Sequence, residues 1–152
     1  MRVGVISDTH GVVPATIDEV FAGVDRIIHA GDIGRDSVLV KLEAIAPVVA
    51  VHGNMDSGDL QWRYPDVANV RLAGHRVLVG HILERLLAAG VPEGVDVVIT
   101  GHTHCARVER VDGVLYVNPG TVGARGRDGQ GPTVALLSLG GGEPAAAIVE
   151  LA

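Results

Sequence analysis

Arg2-Val-Gly-Val-Ile6, followed at once by Ser7-Asp-Thr-His-Gly11, is a short β-branched run that stops at a polar, glycine-ended stretch. It reads as a buried strand whose carboxyl end delivers Asp8 and His10 into a loop. The same pattern returns twice. Arg26 to His29 is a second strand ending in Ala30-Gly-Asp32, and Val48 to Val51 is a third ending in His52-Gly-Asn54. Between them, Pro14 to Phe21 has helical spacing, with Ile17, Val20 and Phe21 on one face and the proline near the first turn. Asp36 and Ser37 can cap a second helix running to about Ala46, with Val38, Leu39, Leu42 and Ile45 at core spacing and Pro47 limiting its end. This is βαβαβ, in which each strand leaves polar residues at one edge. Ligands of open α/β sheets bind at that carboxyl edge, so Asp8, Asp32 and Asn54 can converge although far apart in sequence.

The second half has a different texture. Ser57 to Asn69 reads as irregular, with Trp62, Tyr64 and Pro65 as packing and turn residues. Val70 to Leu72 and Arg76 to Gly80 make a hairpin about Ala73-Gly-His75, and a short helix from Ile82 to Ala89 ends at Gly90. A strand from Val95 to Thr100 leads into Gly101-His-Thr-His104. Ala106 to Val111 and Val114 to Val117 flank the Asp112-Gly113 turn, and Thr133 to Leu139 pairs with Ala145 to Leu151 around Gly140-Gly-Gly142. The expected fold is an α/β sandwich, with parallel strands first and mostly antiparallel strands after. No repeat or linker interrupts it, so residues 1–152 are read as one domain, of a size that buries roughly two-thirds of its unfolded surface. Gly123 to Gly131 is the expected mobile loop.

Composition narrows the function classes. An apolar content of 47% with 3% aromatics indicates an aliphatic core rather than a disordered chain. With a net charge of −6, nothing suggests the basic face that nucleic-acid binding requires, and bound cations can neutralise part of that charge. No apolar run approaches the roughly 20 residues of a membrane span. The chain opens on strand residues without a signal-type apolar segment, and Cys105, the one cysteine, excludes an intramolecular disulfide. A cytoplasmic protein is expected; its oligomeric state, homo-oligomer included, is left open.

A two-metal hydrolytic site needs carboxylates for negative charge, imidazoles for transition metals, and a shared ligand that holds the ions about 3.5–4 Å apart. Those groups are present at loop positions. Asp8 and His10 are two residues apart, a spacing that puts both side chains on one face of an extended segment, and His102 and His104 repeat it. Asp32 follows Gly31 and Asn54 follows Gly53, which allows close backbone approach. The Asn54 amide can be a neutral ligand through oxygen while its nitrogen donates to a phosphate oxygen. Each motif alone is an ordinary turn or cap. Their succession, with four of them ending expected strands, is what argues for a metal site.

Taken in order, Asp8-x-His10, Gly31-Asp32, Gly53-Asn54-x-Asp56, His81 and Gly101-His-Thr-His104 resemble the calcineurin-like metallophosphoesterase superfamily, in particular its small bacterial and archaeal phosphodiesterases. The retromer subunit of the same fold is also related. His29-Ala-Gly-Asp32 and Asn118-Pro-Gly-Thr121 look like two further signatures, so the resemblance covers nearly the whole chain. It implies a four-layer α/β/β/α sandwich of two mixed sheets. It implies that Asp8, His10, Asp32 and His104 hold one divalent ion and Asp32, Asn54, His81 and His102 a second, with Asp32 shared. A small phosphodiester would then be hydrolysed by a hydroxide bridging the ions, with Mn²⁺ favoured and Fe, Ni, Co or Zn as the other candidates. The His81 assignment departs from the family pattern, where glycine usually follows; here Ile82 does.

Other residues carry weaker readings. Many members of the family have histidine after the Gly-Asn pair, where Met55 stands, which leaves His52 as the candidate acid or phosphate contact beside a structural reading for the same ring. Asp32, Asn54 and His52 are thus the candidate catalytic residues, with Asn54 and Arg125 as phosphate contacts and Arg127 as a neighbour of equal standing. His29 reads as a hydrogen-bonded core residue, His75 as a solvated turn residue, Cys105 as packing, and Asn118 as a residue that orients the metal loops. A Gly-x-Ser-x-Gly elbow and a His-x-His-x-Asp-His cluster do not occur. The rival class is a non-catalytic interaction module on the same fold.

Overall fold

Period-two alternation sorts the strand side chains into faces. In a computed structural model, which describes residues 1–123 and 131–151, Val3 and Val5 of β1 (Arg2–Ile6) enter one apolar cluster and Ile6 enters another. β2 (Arg26–His29) divides Ile28 from Ile27 in the same way. β1, β2 and β3 (Val48–Ala50) pair in parallel, and β9 (Thr133–Ser138) and β10 (Ala145–Glu150) join antiparallel, giving the order β10-β9-β1-β2-β3. The second sheet contains β4 (Val67–Leu72), β5 (His75–Gly80), β6 (Val97–Ile99), β7 (Arg107–Val111) and β8 (Val114–Asn118) in the order β4-β5-β6-β8-β7.

Three clusters define four layers. The inner cluster joins Val3, Val5 and Ile28 to Val77, Val79, Val97 and Ile99, so the sheets pack face to face. On the outer face of the first sheet lie α1 (Ile17–Val20), α2 (Asp36–Glu43) and α3 (Asp59–Arg63), through Ile17, Leu39, Leu42 and Leu60. On the outer face of the second, Leu86 of α4 (Leu83–Ala89) packs on Leu78 and Val98. The α/β sandwich and its four layers are therefore as expected. No helix among the described residues is long and apolar enough to cross a membrane.

Several local expectations are corrected. Ser57 to Asn69 is not irregular: Leu60 is buried, which anchors α3, and an Arg63–Asp36 ion pair at 2.9 Å ties its end to α2. Five residues are too few to show helical periodicity in sequence. β4 begins at Val67 because it pairs opposite Gly80. The second sheet is evenly mixed, since β5·β6 and β6·β8 are parallel while β4·β5 and β7·β8 are antiparallel. The α4 crossover makes the first parallel pair, and β7 lies on the outer edge so that β8 can enter beside β6. The first helix is confined to Ile17–Val20, closed by the i→i−4 bonds of Val20 and Phe21, because the turn before it is held by i→i−3 bonds to Pro14, Ala15 and Thr16 O. Asp36 is the first residue of α2 rather than its cap, with Arg35 extended before it, and the helix stops at Glu43. Trp62 does not pack; it is 89% exposed. His75 is half-buried, 3.3 Å from Asp96.

Candidate metal centre

Five parallel strands, β1 to β3 and β5 to β6, end at one edge of the sandwich, and their loops carry the candidate ligands. The loops are fastened to each other by main chain. Asp8 N–H donates to Gly31 O, His10 N–H to Asp32 O and Gly11 N–H to Ile33 O at 2.8–3.0 Å, continuing the β1·β2 pairing beyond the strands. Gly101 N–H donates to His81 O at 3.0 Å and closes the same edge of the second sheet.

Side chains then tie loop to loop. The buried Asp56 carboxylate accepts from the N–H groups of Ile33, Gly34 and Gly53 at 2.8–3.0 Å, clamping the β2 and β3 loops. Asn118 holds the loop after β6: its amide nitrogen donates to Gly101 O at 2.9 Å and to Thr103 Oγ1 at 3.1 Å. Thr121 Oγ1 donates to Asp8 O at 2.9 Å. The roles of Asp56 and Thr121 were not legible beforehand, because nothing local distinguishes a clamp from a turn residue.

His29 is a fully buried hydrogen-bonded residue and not part of the site. Nδ1 accepts from Gly31 N–H at 3.1 Å, which places the proton on Nε2, 3.0 Å from Thr9 Oγ1; that hydroxyl donates to Ile33 O at 2.8 Å. Burial lowers its pKa from 6.5 to about 3, against the opposing pull of Asp56. Between those values the unfolded chain binds a proton that the folded chain does not. Stability from His29 is therefore complete above pH 6.5 and is lost as pH falls toward 3, by ~1.4 kcal/mol per pH unit. Urea midpoints should fall more steeply for wild type than for His29→Gln on acidification to about pH 4.5; parallel curves would place the loss in other groups.

The ligand atoms converge as two groups with Asp8 in common: Asp8, His10 and His104, and Asp8, Asp32 and His81, each with its atoms within 4.8 Å of one another. Asp8 Oδ2 accepts from Ser7 Oγ at 2.6 Å and His102 N–H at 3.1 Å, which leaves Oδ1 toward His104 Nε2 at 3.1 Å, His81 Nε2 at 3.8 Å and His10 Nε2 at 3.9 Å. Asp32 Oδ1 accepts from Met55 N–H at 2.8 Å, and Oδ2 lies 3.2 Å from His81 Nε2. Asn54 and His102 complete the rim: His102 Nδ1 lies 3.0 Å from Asn54 Oδ1, and the His102 and His81 rings are 5.2 Å apart.

His81 is placed by a different signal from the one absent in its sequence. Its Nδ1 donates to Ala30 O at 2.7 Å, so Nε2 carries the free lone pair and faces both carboxylates. Asp8 Oδ1 and His81 Nε2 are buried and lack aligned hydrogen-bond partners among the described residues. Buried polar atoms are rarely left so, and an imidazole lone pair facing carboxylate oxygens is the arrangement a divalent cation fills. The donor set fits a metal. Burial pushes the Asp32 carboxyl up, but His81, the Met55 N–H and nearby imidazole charge outweigh it, holding it below the usual carboxylate range. Burial likewise pushes His81 down, and Asp32, Asp8 and Ala30 O outweigh it and raise it.

Five of the candidate ligands sit in the left-handed region: Asp8 (φ 55), His10 (φ 47), Asp32 (φ 54), His102 (φ 71) and His104 (φ 61). Each costs about 1–2 kcal/mol relative to an ordinary backbone, and such strain gathers where function holds it. In metal-free protein, His10→Gly should be more stable than His10→Ala by ~1 kcal/mol in urea unfolding. An alanine variant as stable as the glycine variant would mean that the loop relaxes once the imidazole is gone.

The remaining candidates stand apart from the two groups. His52 lies on the adjoining wall, with Nδ1 2.7 Å from Tyr64 O and Nε2 2.7 Å from Asp66 Oδ1. Cys105 is half-buried and belongs to neither metal group, its Sγ 3.5 Å from Thr103 O. Arg125, Arg127 and the loop expected at 123–131 fall outside the described residues except at its two ends.

The family is shown by comparison with known proteins. Residues 1–142 match the family model of the calcineurin-like phosphoesterase superfamily domain. A probable metallophosphoesterase of Methanothermobacter thermautotrophicus is 33% identical over 135 residues, covering 80% of this chain and 77% of its own. Phosphodiesterase MJ0936 of Methanocaldococcus jannaschii is 30% identical over 141 residues, covering 79% and 83%. Among solved structures, an archaeal phosphodiesterase superposes with a TM-score of 0.79 at 28% identity, covering 98% of this chain and 100% of that one. Vps29 of Entamoeba histolytica, at 20% identity and complete coverage of both chains, shares the fold at a TM-score of 0.79. With carboxylates and imidazoles gathered at the strand ends of this sandwich and a family match over most of its length, the chain belongs to the calcineurin-like phosphoesterase superfamily.

Proposed function

We propose that the chain is a binuclear metal-dependent phosphodiesterase. The observation that carries this reading is the buried pair of Asp8 Oδ1 and His81 Nε2, without hydrogen-bond partners among the described residues where the two ligand groups meet. Asp8, His10, Asp32 and His104 would hold one ion, and Asp32, Asn54, His81 and His102 the other, with Mn²⁺ the favoured metal. Ions bound there supply Lewis acidity toward a phosphoryl oxygen and acidify water. The chain supplies the rest: fixed ligand loops, an imidazole tautomer set by Ala30 O, and an Asn54 amide able to donate to a phosphate oxygen. The single cysteine suits a reducing compartment, and we place the protein in the cytoplasm.

The test is hydrolysis of bis(4-nitrophenyl) phosphate with metal content measured in parallel. Chelation should abolish turnover and Mn²⁺ restore it, and the melting temperature should fall on stripping. Full activity in metal-free protein would sink the reading. Two tightly bound ions without turnover on any diester would favour the interaction module, a role for which the shared Vps29 fold gives room.

Substrate preference follows from Met55, whose exposed thioether chain cannot donate a proton. General-acid help is worth about 10²–10⁴-fold and matters least for good leaving groups. Aryl diesters should therefore outpace alkyl monoesters in kcat/KM. His52 can serve as acid only by releasing Asp66. A His52→Ala loss confined to poor leaving groups would assign it that role, an unaffected variant would remove it, and a clear preference for monoesters would overturn the diesterase reading.

A further inference from the structure

Beside Asn54 and His81 the surface opens into a cleft of ≈ 180 Å³. One wall is the end of β3 with His52 and Asn54, the floor is Gly80 to Ile82, and the opposite wall is α4 with Arg85, Leu86 and Ala89. The cleft is thus continuous with the metal centre and is built largely from residues that the centre does not use. Resting on the phosphodiesterase reading above, we propose that this cleft seats one ester substituent of the substrate, a single uncharged aromatic or heterocyclic ring, with Arg85 covering one face of it.

Size limits the occupant first. Pockets for drug-sized molecules run to about 300–1,000 Å³, so this volume admits one ring and excludes a run of nucleotides. Chemistry limits it next. Ile82, Ala89 and Val67, the last 45% exposed, offer apolar surface above the buried Leu86, which favours a flat hydrocarbon or heterocycle. The polar groups at the rim, His52 and Asp66, already engage each other at 2.7 Å. The Asp66 carboxylate, 83% exposed, opposes an anionic substituent there. Arg85 and Ala89 are one turn apart on α4, so the small side chain leaves room beneath the guanidinium. A planar guanidinium stacks on an aromatic face, and among the described residues this one makes no ion pair.

The test uses ligands that cannot turn over. Calorimetric titration of the Zn²⁺-loaded chain with diphenylphosphinate and dimethylphosphinate should give affinities that differ by about tenfold or more in favour of the phenyl compound. Ala89→Trp, at an exposed helix end, should fill the cleft and remove that ratio, and Arg85→Glu, which weakens both anions through its charge, should lower the phenyl affinity by about threefold more than the dimethylphosphinate affinity. Equal affinities in the wild type, or a phenyl advantage that survives a folded Ala89→Trp, overturns the proposal; should Ala89→Trp fail to fold, Arg85→Glu decides it. Turnover of bis(4-nitrophenyl) phosphate without a phenyl preference sinks the cleft alone. A phenyl preference abolished by Ala89→Trp, in a chain that hydrolyses no diester, keeps the cleft and sinks the enzyme reading.

Discussion

Asp32→Asn is expected to lower kcat/KM by about 10³-fold or more, and Asn54→Ala by about 10²-fold, when both are assayed at saturating Mn²⁺. The asparagine fits the space of the buried aspartate. Its retained oxygen can still accept the Met55 N–H, and its new amide hydrogens meet the lone pair of His81 Nε2 in place of Oδ2. Folding should therefore survive, and the loss isolates one negative charge. Removing that charge should weaken any ion that Asp32 binds, whereas Asn54 offers a neutral oxygen, which accepts from His102 Nδ1–H at 3.0 Å. The measurement pairs kcat/KM with bound metal equivalents. Equal losses in the two variants would count against Asp32 as the shared ligand. Asp8 is common to both geometric groups, so a larger loss of metal in Asp8→Asn than in Asp32→Asn would move the shared role to Asp8.

Gly53→Ala should lower stability by more than ~4 kcal/mol, enough to unfold much of the protein at 37 °C. A Cβ at this position would lie 2.2 Å from Asp32 Oδ1 and 2.3 Å from the Asp32 main-chain nitrogen. The side chain could turn away, but the main chain cannot, because Gly53 N–H and the neighbouring Ile33 N–H are both held by Asp56 Oδ2. Relief would require separating the β2 and β3 loops, with loss of the Asp56 clamp. At Gly101 the obstructing atoms are different: an added Cβ meets Ser7 Oγ at 2.0 Å and Asp8 Oδ2 at 2.7 Å, side-chain atoms that can turn at the expense of the bond between them. Gly101→Ala should thus remain folded and lose metal affinity before stability. Circular dichroism melts with metal titrations separate the two outcomes, and a Gly53→Ala melt within a few degrees of wild type would show that the loops part easily.

Gly31, Gly53 and Gly101 each precede a candidate ligand, and close approach was inferable because glycine before a ligand permits it. Which atom approaches was not, since that depends on how the β2 loop lies against the β3 loop. The left-handed ligands were equally hidden: aspartate and histidine at such positions do not announce their φ, whereas the two-residue turns at Ala73-Gly74 and Asp112-Gly113 do so through their glycines.

Local pattern alone determined that βαβαβ opens the chain, that its strands end in metal-type side chains, and that a second half with its own hairpins follows. These follow from periodicity and turn chemistry, which act over a few residues. Tertiary structure decided the rest. Parallel pairing of β6 with β8 depends on β7 being displaced to the edge, α3 on burial of Leu60, and the lone pair of His81 on a carbonyl 51 positions earlier in the chain. Contacts between distant segments carry no periodic signature, so only packing the two sheets together reveals which carboxylate oxygen and which imidazole nitrogen are left facing each other.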